Sequence, residues 1–307
     1  MSRLDVNLGQ SVYIAARAVI EMEAMVTSAF AWPNGKRIAV TVTVLLETWS
    51  DGNAAPYSIQ TTALKPGFVD HSGIAWGQYG GNEGIWRIMR ILDRFGVPGT
   101  FCPNSQSAKL YEKAIRQAIK SGHEVAGHGN FQDQLMVYME PEAEQALIRQ
   151  SLDLLAQVTG ERPKGWCSPV LAWSEHTFDF LAQEGLLWHG EAKDFSMPRR
   201  ITTKNGSLIA LPVSDFADNR VLRASPLDFH DVYRETFDYL YAHEPMAMLP
   251  IAMHCHWGGR PLMAAMLQKI LTYYAQFSDV WFARNSEIAQ WMIAQKVDDV
   301  PYDRRFF

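Results

Sequence analysis

The chain has 307 residues and a mass of 34.7 kDa, which is enough for one large domain with a complete core. Hydrophobic residues make up 48% and charged residues 20%, as in ordinary globular proteins, and a net charge of -5 argues against nucleic-acid or anionic membrane partners. The three cysteines are widely spaced, which argues against a disulfide framework. No stretch is typical of a signal peptide or a membrane span, so we expect a cytoplasmic protein.

The first predicted element is a helix over residues 11–30, followed by a turn at residues 32–35. We therefore divide the chain into a helical extension (1–35), a single catalytic domain (36–295) and a C-terminal tail (296–307). The extension and the aromatic tail are apolar features outside the domain. We expect them to lie in the contacts of a homo-oligomer or to fold back onto their own chain.

The clearest strand covers residues 37–46, which are rich in β-branched side chains, and it runs directly into Glu47. A carboxylate at the end of a buried strand is costly unless it has a partner, which makes Glu47 a candidate site residue. Residues 53–81 show neither a helical nor a strand period. We interpret them as a lid, within which Trp76 is an aromatic surface available to a substrate.

After this segment, predicted strands and helices alternate along the chain. The strands are predicted at 99–102, 123–127, 164–167, 186–189, 207–213, 249–255 and 280–283. The helices are predicted at 82–95, 105–121, 140–159, 174–184, 227–243, 261–277 and 286–294. This alternation implies parallel strands with right-handed crossovers. No GxGxxG motif follows the first strand, so we favour a closed or nearly closed (β/α) barrel over a dinucleotide-binding sheet.

Polar residues collect where the predicted strands end, which is the catalytic end of a (β/α) barrel. Glu47, His128 and His254 each lie at such an end, and we interpret them as catalytic. Successive strand residues point to opposite faces, so His256 shares a face with His254. The residues that we predict to bind substrate are Trp76, Trp166, Cys167, Asp218, Asn219 and His256.

The order and spacing of six segments within residues 36–294 resemble the polysaccharide deacetylase family. The segments are RIAVTVTVLLE, GIWRIMRILDRFGVPGTF, GHEVAGHG, TGERPKGW, IAMHCHWGGRP and VWFARNSEIAQW. The chain looks closest to the branch of allantoinases and cyclic imide hydrolases. This resemblance implies an α/β fold, a distorted (β/α) barrel of about seven parallel strands, here preceded by an extra N-terminal helix.

The chain departs from the metal-binding pattern of this family. In typical members, a pair of aspartates ends the first strand and two histidines complete the metal site, whereas here a single carboxylate, Glu47, replaces the pair. His128 matches the first histidine, and Gln132 or a neighbour stands at the second. If one divalent metal such as zinc binds, the resemblance implies Glu47, His128 and Gln132 as its ligands. His254 matches the late histidine that acts as a general acid.

Our leading hypothesis is a hydrolase of non-peptide carbon–nitrogen amide bonds that opens a small cyclic ureide or imide such as allantoin. Water oriented by Glu47 and His128 attacks the carbonyl carbon, and His254 protonates the departing nitrogen. Three alternatives stay open: an N-deacetylase of an acetylated sugar or peptidoglycan fragment, a cysteine hydrolase that uses Cys167, and a catalytically inactive binding barrel.

Overall fold

The computed structural model describes residues 31–58, 64–65, 67–221 and 224–306. The helix predicted at residues 11–30 lies outside the described residues. The described chain begins with a short 3-10 turn, Pro33–Gly35, and leads directly into the first strand. The indole N–H of the buried Trp32 donates a hydrogen bond of 2.8 Å to the carbonyl oxygen of Ala247, so the start of the domain is attached to its core.

The described residues contain nine strands. They are β1 (Ile38–Leu46), β2 (Gly99–Pro103), β3 (Glu124–Val125), β4 (Gly165–Trp166), β5 (Trp188–Ala192), β6 (Arg199–Thr203), β7 (Gly206–Pro212), β8 (Ala247–His254) and β9 (Val280–Ala283). One sheet has the order β3-β2-β1-β8, with β9 also pairing with β1, and the other has the order β4-β5-β7-β6. All pairs are parallel except β6 with β7. A bridge between Gly127 and Trp166 joins the sheets into the predicted distorted barrel.

Helices alternate with these strands, as predicted. They are α1 (His71–Tyr79), α2 (Ile85–Phe95), α3 (Ser105–Leu110), α4 (Glu112–Lys120), α5 (Pro141–Thr159), α6 (Thr177–Gln183), α7 (Pro226–His243), α8 (Cys255–Gly258), α9 (Pro261–Tyr274), α10 (Asn285–Ala294) and α11 (Tyr302–Phe306). A π-helical segment, Gly80–Gly84, connects α1 to α2. No helix in the described ranges is both long enough and apolar enough to cross a membrane.

Two sequence predictions about the elements were wrong, and one strand was missed. The segment 53–81 contains α1, whose first turn is capped because the Asp70 carboxylate accepts a hydrogen bond from the backbone N–H of Gly73. The helix predicted at 105–121 is split at Tyr111, which has non-helical backbone angles. Strand β6 was missed because its residues are only partly buried, so no clear alternation of apolar and polar residues marks it.

Alternate side chains of β1 point to opposite sides of the barrel wall, either inward or towards the surrounding helices. Alternate residues face the surrounding helices and form the main apolar cluster: Ile38, Val40, Val42, Val44 and Leu46. The intervening residues face the interior: Ala39, Thr41, Thr43 and Leu45. The period of two therefore places Glu47, the next residue of the inward series, at the carboxyl end of the barrel interior.

Gly84 lies where the π-helical segment packs against α8. A Cβ on Gly84 would lie 1.9 Å from the carbonyl oxygen of Cys255, and this backbone atom cannot rotate away. We expect Gly84→Ala to lower the free energy of unfolding by about 1–3 kcal/mol, measured by urea denaturation. Asn82→Ala, on the exposed side of the same segment, should change it by less than about 0.5 kcal/mol. Equal midpoints for the two variants would contradict this prediction.

Candidate active site

Glu47 lies at the centre of a cluster of buried polar side chains at the carboxyl end of β1. It is 4% exposed, and its Oε1 atom is 3.5 Å from Nε2 of His128 and 3.7 Å from Nε2 of His254. Its Oε2 atom is 3.8 Å from Nδ1 of His256 and accepts a hydrogen bond of 3.0 Å from the hydroxyl of Tyr57. The structure therefore brings together the three residues predicted to be catalytic.

The environment gives Glu47 and His254 opposite charges. Burial raises the pKa of the Glu47 carboxyl, but the positive charge of the neighbouring His254, the largest of the opposing effects, outweighs burial, and this pKa falls to about 2. Burial lowers the pKa of His254, but the carboxylates of Asp218 and Glu47 outweigh it and raise this pKa to about 9. Near neutral pH the site thus holds a carboxylate base beside an imidazolium acid.

Asp218 supports His254 and does not line the cavity. It is fully buried, its Oδ1 atom is 2.6 Å from Nδ1 of His254, and its Oδ2 atom accepts a hydrogen bond of 2.8 Å from the backbone N–H of His254. The carboxylate therefore orients the imidazole so that Nε2 faces Glu47. This position corrects the prediction that Asp218 contacts substrate.

His128 has one ring nitrogen that is fixed and one that is available for chemistry. Its Nδ1 atom is 2.8 Å from the carbonyl oxygen of Cys167, which can only accept, so Nδ1 carries the hydrogen. In the neutral ring, Nε2 then carries a lone pair, and this buried atom has no hydrogen-bond partner among the described residues. The side-chain amide of Asn104 donates to the backbone carbonyl of His128 and holds the loop in place.

The donor set around His128 is a poor fit for a catalytic zinc ion. Within the described ranges, no three His, Cys, Asp or Glu side chains are grouped so that they could hold a metal. Glu47 and His128 are good ligands, but the amide oxygen of Gln132 is a weak one and lies 3.4 Å from the amide nitrogen of Asn104. A divalent ion bound by Glu47, His128 and Gln132 stays a prediction that metal analysis tests.

Three residues predicted to bind substrate lie behind the site instead. His256 is fully buried, its Nε2 atom is 3.2 Å from the Tyr57 hydroxyl, and burial is the main reason that its pKa falls to about 3, so it is neutral. Trp76 packs against His256 with ring centres 4.8 Å apart. Trp166 is also fully buried, and its indole N–H donates to the hydroxyl of Ser168. These side chains hold the site together and do not line the cavity.

A cavity of about 330 Å³ opens beside the catalytic cluster. Glu47, His128 and His254 form part of its wall, and Cys167 and Asn219, two of the residues predicted to bind substrate, also line it. Further residues of the wall are Thr41, Thr43, Leu45, Tyr57, Gln132, Val170, Leu171, Lys193, Arg220, Ala252 and Asn285. The cavity combines an apolar surface with a few converging polar groups, as binding sites for small molecules do.

Strained backbone forms part of the cavity wall. Val170 and Leu171 have φ angles of 58° and 56°, in a left-handed region that non-glycine residues rarely occupy. This backbone conformation lowers the stability of the fold by about 1–3 kcal/mol per residue, so it is kept only where the surrounding contacts hold it in place. Because a β-branched residue is especially unfavourable there, the strain supports a functional role for this turn.

Tyr57 and the inward-facing threonines of β1 were not among the residues predicted from the sequence. Tyr57 lies in a segment without periodicity, and no sequence signal connects it to Glu47. The threonines could have been found, because counting back from Glu47 in steps of two gives Leu45, Thr43 and Thr41.

The comparisons with known proteins agree with this geometry. The family model for polysaccharide deacetylase matches residues 76–187. Over this segment the chain is similar to the polysaccharide deacetylases. A peptidoglycan deacetylase of Helicobacter pylori is 23% identical over 255 residues, which cover 70% of this chain and 86% of that protein.

Two solved structures are also similar. One is described as a probable polysaccharide deacetylase from Pseudomonas aeruginosa PAO1, and it superposes with a TM-score of 0.77 at 25% sequence identity. The superposed region covers 86% of this chain and 94% of that protein. The PuuE allantoinase superposes with a TM-score of 0.77 at 25% sequence identity, over 86% of this chain and 93% of the allantoinase. The predicted family resemblance and fold are confirmed, and together these relatives indicate a hydrolase of carbon–nitrogen bonds.

The thiol of Cys167 is not paired with a histidine of the candidate catalytic cluster. His128 contacts the backbone carbonyl of Cys167, whereas the thiol lies 3.9 Å from the thiol of Cys102. A cysteine nucleophile needs an adjacent base to become a thiolate. The contacts of Cys167 therefore favour a structural role over the cysteine-hydrolase alternative.

Proposed function

We propose that the protein hydrolyses the amide bond of a small cyclic ureide or imide. The observation that carries this proposal is the cavity of about 330 Å³, whose size suits a single substituted ring and whose wall holds the catalytic cluster. The similarity to an allantoinase supports the same class of substrate. The opposite charges of Glu47 and His254 support hydrolysis by a base and an acid acting together.

Glu47 and His128 would orient the attacking water. Oε1 of Glu47 and Nε2 of His128 are both acceptors, and they are 3.5 Å apart. A water molecule in contact with both can donate one hydrogen to each, which directs an oxygen lone pair towards a bound carbonyl carbon. The water loses one proton to this pair as its oxygen forms the new carbon–oxygen bond, and the carbonyl becomes an oxyanion.

His254 would complete the reaction as the acid. Its imidazolium faces the cavity and gives a proton to the ring nitrogen as the carbon–nitrogen bond breaks, so the products are a carboxyl group and an amine or amide nitrogen. Oε1 of Glu47 is 3.7 Å from Nε2 of His254. Because Glu47 lies next to both histidines, it can return the proton taken from water to His254 after each turnover.

Asn219 would recognise the ring. Its side-chain oxygen is buried and has no hydrogen-bond partner in the described part of the chain, and the residue lines the cavity. A buried acceptor without a partner is costly. The N–H groups of a cyclic ureide or imide are donors that would pair with it.

The test is a panel of substrates offered to the purified protein. The expected result is that hydantoin, dihydrouracil or allantoin is opened to a carboxylate, detected by chromatography and by proton release. The Glu47→Gln protein is the matched control for contaminating enzymes. Absence of turnover on every cyclic ureide and imide would contradict the proposal.

N-deacetylation is a second candidate, because the matching family model and the Helicobacter pylori relative both carry the name of deacetylases. The same base and acid can break the amide bond of an acetylated amino sugar. Release of acetate from N-acetylglucosamine oligomers, with no opening of cyclic ureides in the same preparation, would favour this candidate.

Chelation tests the donor set around His128. Because only Glu47 and His128 are good metal ligands there, we expect dialysis against a chelator to leave turnover within about twofold of its starting value. Elemental analysis before and after dialysis measures the metal content. One bound equivalent whose removal abolishes turnover would show instead that Gln132 or another group completes a working metal site.

A further inference from the structure

Glu191 is a second buried carboxylate beside the site, and the proposed mechanism does not use it. It lies on β5, is 6% exposed, and its Oε1 atom accepts a hydrogen bond from the backbone N–H of Ser168. Its Oε2 atom has no hydrogen-bond partner in the described part of the chain and is 3.9 Å from Nδ1 of His189. Burial lowers the pKa of His189 to about 4, so this ring is neutral and supplies no counter-charge. Burying a carboxylate without a counter-charge is unfavourable, which points to a role for its bond to Ser168.

The path of the chain after β4 explains why a side chain accepts this N–H. Strand β4 pairs with β5 over two residues, and the pairing ends at Trp166. The chain then turns towards the other sheet, where the N–H of Cys167 donates a hydrogen bond of 2.9 Å to the carbonyl oxygen of Gly127. The N–H of Ser168 is accepted by the side chain of Glu191. The carboxylate therefore takes the place of a backbone partner where the two strands separate.

The peptide group between Cys167 and Ser168 is held at both ends. Its carbonyl oxygen accepts a hydrogen bond of 2.8 Å from Nδ1 of His128, and its N–H donates to Glu191. A peptide group is planar and its C=O and N–H point in opposite directions, so one rigid unit connects the carboxylate to the imidazole. Hydrogen bonds in a buried chain also strengthen one another. A rotation of this peptide would break both bonds.

The strained turn begins at the same residue. The N–H of Leu171 donates a hydrogen bond of 3.0 Å to the carbonyl oxygen of Ser168, and the φ angles of Val170 and Leu171 are positive. Ser168 itself is fully buried, and its hydroxyl accepts a hydrogen bond from the indole of Trp166. Relaxation of the strained φ angles would reorient the peptide before the turn, and the bond to Glu191 opposes this movement.

We propose that Glu191 is a positioning residue for His128 and acts through the peptide group between Cys167 and Ser168. By fixing the peptide carbonyl towards Nδ1, the carboxylate keeps the ring hydrogen on Nδ1 and the lone pair on Nε2. The inference rests on the proposed function, in which Nε2 accepts a hydrogen from the attacking water.

A competing acceptor makes this support necessary. Oε1 of Glu47 is 3.5 Å from Nε2 of His128, so the carboxylate of Glu47 favours the ring form that carries its hydrogen on Nε2. In that form Nε2 would donate to Glu47 and could not accept from water. The peptide carbonyl opposes this form only while it faces Nδ1, and the bond to Glu191 holds it there.

Four variants test the proposal. Glu191→Gln keeps an oxygen that can accept the N–H, and Glu191→Leu removes it. Ser168→Pro removes the N–H and leaves the carboxylate, and the φ angle of -73° at Ser168 suits proline. Glu144→Leu is the matched control, because Glu144 is also a fully buried carboxylate but accepts from the hydroxyls of Ser174 and Thr177.

The position of the ring hydrogen is the main measurement. Proteins labelled with ¹⁵N-histidine are dialysed against a chelator, so that no ion occupies Nε2, and are studied by NMR at a pH at which the His128 ring is neutral. The His128 signals are identified by their loss in His128→Gln. Circular dichroism and thermal melting establish that each variant is folded, and kcat and KM are measured separately on the best substrate of the panel.

The ring hydrogen of His128 should lie on Nδ1 in the wild-type protein, in Glu191→Gln and in Glu144→Leu. In Glu191→Leu and Ser168→Pro, a large part of the population should carry it on Nε2. These two variants should also lose about 10–100-fold in kcat, with KM within about threefold, because His128 acts on water. Glu191→Gln and Glu144→Leu should keep kcat within about threefold, since a loss of stability by itself does not move the ring hydrogen.

The NMR measurement needs no substrate, so failure of the inference and failure of the proposed function are distinct. A hydrogen that stays on Nδ1 in both Glu191→Leu and Ser168→Pro, or that moves equally in Glu144→Leu, would overturn the inference whether or not any ring is opened. If the hydrogen moves as expected but the wild-type protein opens no cyclic ureide or imide, the proposed function fails, and Glu191 still positions His128.

Discussion

Glu47→Gln is expected to lower kcat by about 10²–10⁴-fold. The substitution keeps the size of the side chain but removes the carboxylate that, in the proposed mechanism, accepts a proton from water and passes it to His254. It also removes a negative charge that helps to keep His254 protonated. Steady-state kinetics on the best substrate of the panel measures the effect, and most of the loss should appear in kcat because binding does not require the charge.

Tyr57→Phe is the matched control for Glu47→Gln. It removes only the hydroxyl that donates to Oε2 of Glu47, on the side of the carboxylate away from His128 and His254. The same hydroxyl is 3.2 Å from Nε2 of His256, and we expect a loss of about tenfold or less because the Glu47 carboxylate stays in place. A Glu47→Gln protein whose kcat stays within tenfold of wild type would show that this carboxylate is not the base.

Asp218→Asn should move the alkaline limit of activity to lower pH. His254 acts as an acid only while protonated, so kcat/KM of the wild-type protein should fall as pH rises through about 9, the pKa of His254. The carboxylate of Asp218 is the largest influence that raises this pKa. Without its charge, the limit should fall by at least about one pH unit, and the pH dependence of kcat/KM measures the shift.

The free energy of unfolding should change with pH as His254 and Glu47 titrate. The pKa of His254 rises from its ordinary value of 6.5 to about 9, so its contribution to stability is complete below pH 6.5 and is lost as pH rises through about 9. The pKa of Glu47 falls from 4.5 to about 2, so its contribution is present above pH 4.5 and is lost as pH falls through about 2. Thermal melting across pH should therefore show a smaller alkaline loss in Asp218→Asn than in wild type.

Glu191 provides the control for assigning the alkaline limit of activity to His254. Burial raises the pKa of its carboxyl to about 7, and this carboxyl accepts a hydrogen bond from the backbone N–H of Ser168, which lines the cavity. Glu191→Gln should leave the alkaline limit near pH 9 in place. A limit that moves in Glu191→Gln and stays in Asp218→Asn would assign the titration to Glu191 and remove His254 from the role of acid.

The sequence could predict that Glu47, His128 and His254 lie together, because they stand at the ends of strands that the sequence marks clearly. Residues 37–46 alternate between the two faces of β1, and the step of two continues into Glu47. His254 follows a buried strand in the same way, and parallel strands bring their carboxyl ends to one edge of the barrel. Glu47 and His254 are far apart in the sequence, but the geometry of parallel strands was enough to predict that they lie close together.

The supporting residues could not be predicted, since their roles depend on contacts between distant segments. The carboxylate of Asp218 fits the polar pattern of a site, yet only the packing of its turn beneath β8 shows that it binds His254. Trp76 and His256 have residue types common in binding sites, but both are buried behind Glu47. The local pattern of residue types does not show which side of a loop becomes buried.

The sequence by itself determined the alternation of strands and helices, the inward series that ends at Glu47, and the strand ends that carry His128 and His254. These follow from periodicity and from the geometry of parallel strands. The tertiary structure alone decided the opposite charges of Glu47 and His254, the contact of Tyr57 with Glu47, and the cavity beside Thr43 and Ala252. The physical reason is that pKa values and empty space depend on distances between side chains from different strands, which no single segment of the chain contains.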